Sequence, residues 1–174
     1  MAITSYIMPA RVSEPGHGFS HTPISQRFMA VLHDLSAYIE AERDLEHAGG
    51  FDPAFDVWFV DAERARKQML GTLCDLQRVE VCRCEDLPLK RIGLLTRLLI
   101  ESDTPTRFGQ LFSSLQQHAD LFSCSGQGLI PSRINLMIDA TRLRLNDLAR
   151  LSEHIDMIGA EDTPADDMTF AAAA

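Results

Sequence analysis

The sequence predicts an all-α fold, a bundle of about five helices in a single domain. Apolar residues recur at intervals of three and four in five separate segments, which is the spacing of one face of an α-helix. Three segments begin with a capping residue followed by proline, at Thr22-Pro23, Asp52-Pro53 and Thr104-Pro105. Proline suits the first helical turn because the N–H that it lacks would have no intrahelical partner there.

The first two predicted helices are long. The first runs from about Pro23 to His47 and stops at Gly49-Gly50, a pair typical of a helix C-terminus. The second runs from about Pro53 to Val81. Its apolar residues have heptad spacing, which favours packing in an antiparallel bundle. They are Phe55, Ala62, Met69 and Leu76, with Trp58, Ala65, Thr72 and Val79 beside them.

The other three helices differ in how much of their surface is apolar. The third, about Pro88 to Ser102, has little polar face, which is typical of a central helix or of one covered by a partner subunit. The fourth, about Pro105 to Phe122, is apolar on one side. The fifth, about Pro131 to Met157, carries two apolar stripes, so we expect it to pack on two sides. One stripe is Ile134, Ile138, Thr141, Leu145, Leu148 and Ile155, and the other is Leu136, Leu143, Leu151 and Ile158.

The chain is acidic, with 16 basic and 25 acidic side chains among 174 residues and a net charge of −9. Binding to nucleic acid or to an anionic membrane requires Lys and Arg to neutralise phosphate, so we expect neither. The helical domain is predicted to span residues 22–158. It follows an irregular lead-in, residues 1–21, and precedes an acidic tail, residues 159–174; we expect both ends to be disordered.

The cysteines and the missing targeting signals indicate a compartment. The N-terminal residues lack a basic stretch followed by a long apolar core, and no apolar run is long enough to span a bilayer. The four cysteines, Cys74, Cys82, Cys84 and Cys124, match no disulfide framework. We therefore expect reduced thiols in a cytoplasmic protein.

No sequence motif for catalysis, nucleotide binding or a zinc knuckle is present, and we expect no cofactor. The weak candidates for a metal site lie on the first helix: His33, Glu40, Asp44 and His47. Asp44 and His47 resemble half of the paired Glu-x-x-His motif of di-metal bundles, but a second pair is missing. Because a solvated charged face explains the same residues, we expect no bound metal.

A helix-turn-helix-like segment, residues 93–117, gives an alternative hypothesis of a DNA-binding regulator. Arg97 lies before the predicted turn, and Arg107 and Gln110 lie at the start of the second helix. The later turns of that helix carry little positive charge. An ordinary corner between two bundle helices is the favoured explanation of the segment.

The leading hypothesis is a non-enzymatic interaction or regulatory protein that self-associates or binds another protein through a helical surface. Trp58 and Phe59 are adjacent, and neighbouring residues on a helix point about 100° apart, so one core direction does not accommodate both. We expect Trp58 to be mostly buried and Phe59 to fill a helix–helix contact. The third helix has more apolar surface than one position in a bundle needs, and Leu94 and Leu98 are its candidate interface residues. A metal- or small-ligand-binding bundle is a further alternative.

Overall fold

The computed structural model describes residues 21–47 and 54–151, and over these ranges it confirms the all-α prediction. Helices make up 83% of the structure, and the described residues contain no strand. The helices are α1 (Pro23–His47), α2 (Phe55–Arg78), α3 (Leu87–Ile100), α4 (Pro105–Gln117) and α5 (Leu129–Ala149), with short 3₁₀ helices at Cys84–Asp86 and Ala119–Phe122. The predictions for residues 1–20, for Gly49-Gly50, for Asp52-Pro53 and for the acidic tail concern residues outside the described part of the chain.

Two of the predicted capping residues do cap helices. The Ser25 N–H donates to Thr22 Oγ1 at 3.1 Å at the start of α1. The Arg107 N–H donates to Thr104 Oγ1 at 3.3 Å at the start of α4. Each hydroxyl satisfies a backbone donor that has no intrahelical acceptor.

The ends of α2 and α5 differ from the predicted ones. α2 ends at Arg78, because the backbone becomes extended at Val79. α5 begins at Leu129, and its α-helical part ends at Ala149. Residues 152–157, which were predicted to continue α5, lie outside the described part of the chain.

The fourth predicted helix is divided in two. α4 ends at Gln117, and a 3₁₀ turn follows it. Two arginines from other helices satisfy carbonyl groups of this turn: Arg142 Nη2 donates to the Ala119 oxygen at 2.8 Å, and Arg91 Nη1 donates to the Leu121 oxygen at 3.2 Å. These long-range hydrogen bonds support the tighter turn, and the local apolar pattern does not reveal them.

The helices pack around α3, which contacts each of the four others. α1 and α2 form an antiparallel pair, in which Thr72 Oγ1 donates to Asp34 Oδ2 at 2.6 Å. α1 and α5 run side by side in the same direction, joined by Arg144 Nε donating to Ser36 Oγ at 2.6 Å. The sequence left α3 as either central or covered by a partner, and in the structure it is the central helix.

Gly93 permits the close approach of α3 to α2. A Cβ atom at this position would lie 2.6 Å from Leu76 Cδ2, which is closer than real Cβ contacts. Leu76 is fully buried, so its side chain has little space in which to move. Glycine is therefore a packing requirement at this point of the helix interior.

We expect Gly93→Ala to lower the free energy of unfolding by about 1 kcal/mol. Overpacking against Leu76 should destabilise the fold by more than the better helix propensity of alanine stabilises it. Gly71→Ala is the matched control, since a Cβ at Gly71 in α2 would meet nothing within 4 Å. That control should raise the free energy of unfolding by about 0.5–1 kcal/mol. Urea denaturation measures both, and equal stabilisation by the two variants would contradict the packing role of Gly93.

Candidate protein-interaction surfaces

The first two turns of α2 are apolar around almost their whole circumference. Five of the six residues from position 55 to position 60 are large and apolar: Phe55, Val57, Trp58, Phe59 and Val60. Successive helical residues are rotated by about 100°, so these five side chains point to all sides. A helix that is apolar all round is normally enclosed. Here, however, all of them except Trp58 are between 36% and 60% exposed.

Two aromatic side chains of this surface pack against each other. The rings of Phe55 and Phe59, one turn apart, stack with centroids 6.4 Å apart and an interplanar angle of 22°. The stacked pair presents one continuous aromatic surface. We call the surface formed by Phe55, Val57, Phe59 and Val60 the α2 apolar surface.

Charged side chains border the α2 apolar surface. Asp56, Asp61, Glu63 and Arg64 are all exposed, and Arg64 pairs with Asp61. The border is therefore mainly acidic. An apolar centre with a charged rim is the usual anatomy of a protein interface.

The two aromatic residues that the sequence singled out have different environments. Trp58 lies on the same side of α2 as the buried Ala62 and Met69, and it is partly buried. Phe59 is about half exposed. The expected helix–helix contact of Phe59 does not enclose it within the described residues.

The surplus apolar surface predicted for α3 is small. Leu94 is exposed and Leu98 is partly buried, while the opposite face of α3 lies in the core. Arg91, on the same exposed side, uses its guanidinium to bind the Leu121 carbonyl. A charged side chain therefore interrupts the apolar line of α3, which makes it a weaker candidate surface than the start of α2.

The 93–117 segment forms two helices joined by residues 101–104. Arg97 Nε donates to Glu101 Oε1 at 3.0 Å, so its charge is paired within α3 and the following turn. Arg107 and Gln110 are exposed on one side of α4, and Arg107 is the only charged residue of that helix. A single guanidinium on this helix offers little phosphate neutralisation, and the expectation of no tight nucleic-acid binding stays a prediction.

The candidate metal residues share a face of α1 but are spread along it. His33 and Glu40 are seven residues apart, about 10.5 Å along the helix axis, which is too far for one ion. His33 Nδ1 instead lies 3.1 Å from Asp34 Oδ1, and Glu40 and Asp44 are exposed. The side chain of His47 lies outside the described residues. No group of three potential metal ligands converges within the ranges that the structure describes.

All four cysteines are free thiols. Cys84 Sγ donates to the Glu85 carboxylate at 3.2 Å, and this hydrogen bond raises the pKa of the Cys84 thiol. Burial raises the pKa of the Cys124 thiol. A raised pKa favours the protonated thiol, which is a poorer nucleophile than a thiolate.

The prediction that both apolar stripes of α5 pack against other helices was wrong for most of one stripe. Leu136 and Leu143 were expected to pack against a neighbouring helix, but both are about two-thirds exposed; Leu151 of the same stripe is buried. Leu136 lies opposite the face that carries Ile134 and Ile138, and that face is the one in the core. The seven-residue spacing of the exposed leucines, visible in the sequence, was the signal for a second surface.

Comparison with known proteins gives no further indication of function. No protein-family model, curated protein or solved structure matches the chain. Among the described helices, none is both long enough and apolar enough to cross a membrane.

Proposed function

We propose that this protein is a non-enzymatic helical module that binds another protein through the α2 apolar surface. The observation that carries the proposal is the exposed start of α2, where Phe55, Val57, Phe59 and Val60 point to several sides of the helix. Aromatic anchors in an apolar patch supply a large share of the binding energy in protein interfaces. The free thiols support the cytoplasm as the compartment of this interaction.

The shape and charge of the surface indicate the kind of partner. Because apolar side chains surround the helix end, a flat partner would cover only part of it. A concave pocket that receives the first two turns of α2 would cover Phe55, Phe59 and the valines together. The acidic border, with Asp56 and Glu63, favours a pocket rimmed by Lys or Arg.

Phe59→Asp should abolish capture of the partner without unfolding the bundle, because Phe59 is about half exposed. Proteins retained by the immobilised wild-type chain and lost with Phe59→Asp are identified by quantitative mass spectrometry. Met29→Asp is the matched control, since Met29 on α1 is equally exposed and lies on another helix. The control should retain the same proteins.

Trp58 provides a second readout with the purified partner. It is the only tryptophan of the chain, and it lies within the start of α2. Enclosure of this helix end should shift its fluorescence emission to shorter wavelength in the wild-type chain and in Met29→Asp. If no retained protein depends on Phe59, or if the emission does not move on binding, the α2 apolar surface is not the binding site.

A further inference from the structure

We propose that a second surface, a row of leucines on α5, joins two copies of this chain in an antiparallel helix pair. Leu129, Leu136 and Leu143 are between 66% and 73% exposed, the three largest exposures among the large apolar side chains of the described residues. This inference is independent of the α2 apolar surface, which lies on another helix. We call these three residues the leucine row.

The leucine row has the geometry of a helix-pairing seam. Its members are seven residues apart, so each is rotated by only about 20° from the last and the row stays on one face. It extends about 21 Å along α5, at 1.5 Å per residue. A seven-residue repeat of leucine is the pattern by which two helices pack side by side.

A groove next to the row adds apolar surface. The groove lies between α1 and α5, has a volume of about 620 Å³ and is lined by Leu32, Met137 and Ala140 together with Leu129 and Leu136. A helix lying along the row would cover the groove as well. Standard interfaces bury about 800 Å² on each partner, and a row of three leucines beside one groove is a small interface by that measure. We therefore expect a dimer that dissociates on dilution.

The row is symmetric about its middle residue, which favours a second copy as the occupant. A two-fold axis through Leu136 opposes the two Leu136 side chains and places Leu129 of each copy against Leu143 of the other. Such an isologous contact closes on itself and yields a dimer and no larger assembly.

The flanking charges fit the same register. Arg133 and Ala140 lie on one side of the row, and Ser132 and Asp139 lie on the other. In the antiparallel pair, the side that carries Arg133 and Ala140 faces the same side of the second copy, and the two chains run in opposite directions. Arg133 is then level with Ala140 of the second copy, and Asp139 with its Ser132, whose hydroxyl can donate to the carboxylate. No two like charges are directly opposed, which removes the main electrostatic cost of pairing identical surfaces.

Sedimentation velocity of the full chain over a concentration series tests the dimer. We expect the wild-type chain to shift from monomer to dimer as its concentration rises. Leu136→Glu should weaken the association by about 100-fold or more, because the two-fold axis opposes the two new carboxylates. Phe59→Asp should leave it unchanged, which separates this interface from the α2 apolar surface. Leu129→Glu is a second variant in case Leu136→Glu alters the fold, as judged by circular dichroism.

Disulfide trapping tests the antiparallel register. In a background with Cys82→Ser and Cys84→Ser, Leu136→Cys should cross-link two identical chains under mild oxidation. Leu129→Cys alone should not, since the two copies of that position lie about 21 Å apart, but it should cross-link to Leu143→Cys. A chain that stays monomeric at all concentrations, a dimer insensitive to both glutamate variants, or efficient self-linking of Leu129→Cys would overturn the proposal.

Discussion

Phe28→Ala should lower the free energy of unfolding by about 3–5 kcal/mol, the range found for removing a fully buried aromatic ring. Phe28 is completely buried in α1. Phe28 belongs to the hydrophobic core that all five helices share, so a cavity at this position removes packing from that core. Chemical denaturation followed by circular dichroism measures the change, with an unaltered m-value as the sign that the folded state keeps its compactness.

Met29→Ala is the control for this prediction. Met29 is the next residue of α1 and is about half exposed, so its loss should cost well under 1 kcal/mol, as is usual for surface substitutions. The two replaced residues are adjacent on α1 and differ strongly in burial. Similar losses for both would show that Phe28 does not occupy the core.

Thr22→Val should lower the free energy of unfolding by about 2–4 kcal/mol, because the Thr22 hydroxyl makes two hydrogen bonds. Thr22 Oγ1 accepts the Ser25 N–H at the start of α1 and donates to Asp86 Oδ1 at 2.7 Å. Asp86 is 1% exposed, and its Oδ2 has no hydrogen-bond partner among the described residues. Valine, which has nearly the same shape, removes the cap and also the Thr22 hydrogen bond to Asp86 Oδ1, the one side-chain bond of this buried carboxyl group within the described part of the chain.

Two comparisons separate these effects. Thr104→Val removes an exposed cap of α4 alone and should cost about 1 kcal/mol. A double-mutant cycle with Asp86→Leu isolates the bond between Thr22 and Asp86, since Thr22→Val should then cost only the cap. If Thr22→Val costs no more than Thr104→Val in the otherwise wild-type chain, the buried hydrogen bond contributes nothing to stability.

Local patterns were enough to locate the helices. The bounds of α1 were predicted at Pro23 and His47, where the structure has them, and the capping role of Thr104 was read from its position before Pro105. Helix formation depends on periodicity, caps and terminators, all of which lie within a few residues of one another. The same patterns gave Trp58 and Phe59 as candidates, and the exposed start of α2 contains both.

What the sequence by itself determined is the all-α class, the five helices and the absence of a recognisable catalytic motif. The tertiary structure alone decided which faces of those helices are buried. Both stripes of α5 have helical spacing, and only the positions of the neighbouring helices bury Ile134 and expose Leu136. Similarly, Thr22 and Asp86 are 64 residues apart, and their hydrogen bond exists because packing brings the starts of α1 and α3 together. Periodicity specifies a face of a helix, whereas burial depends on what lies beside that face in space.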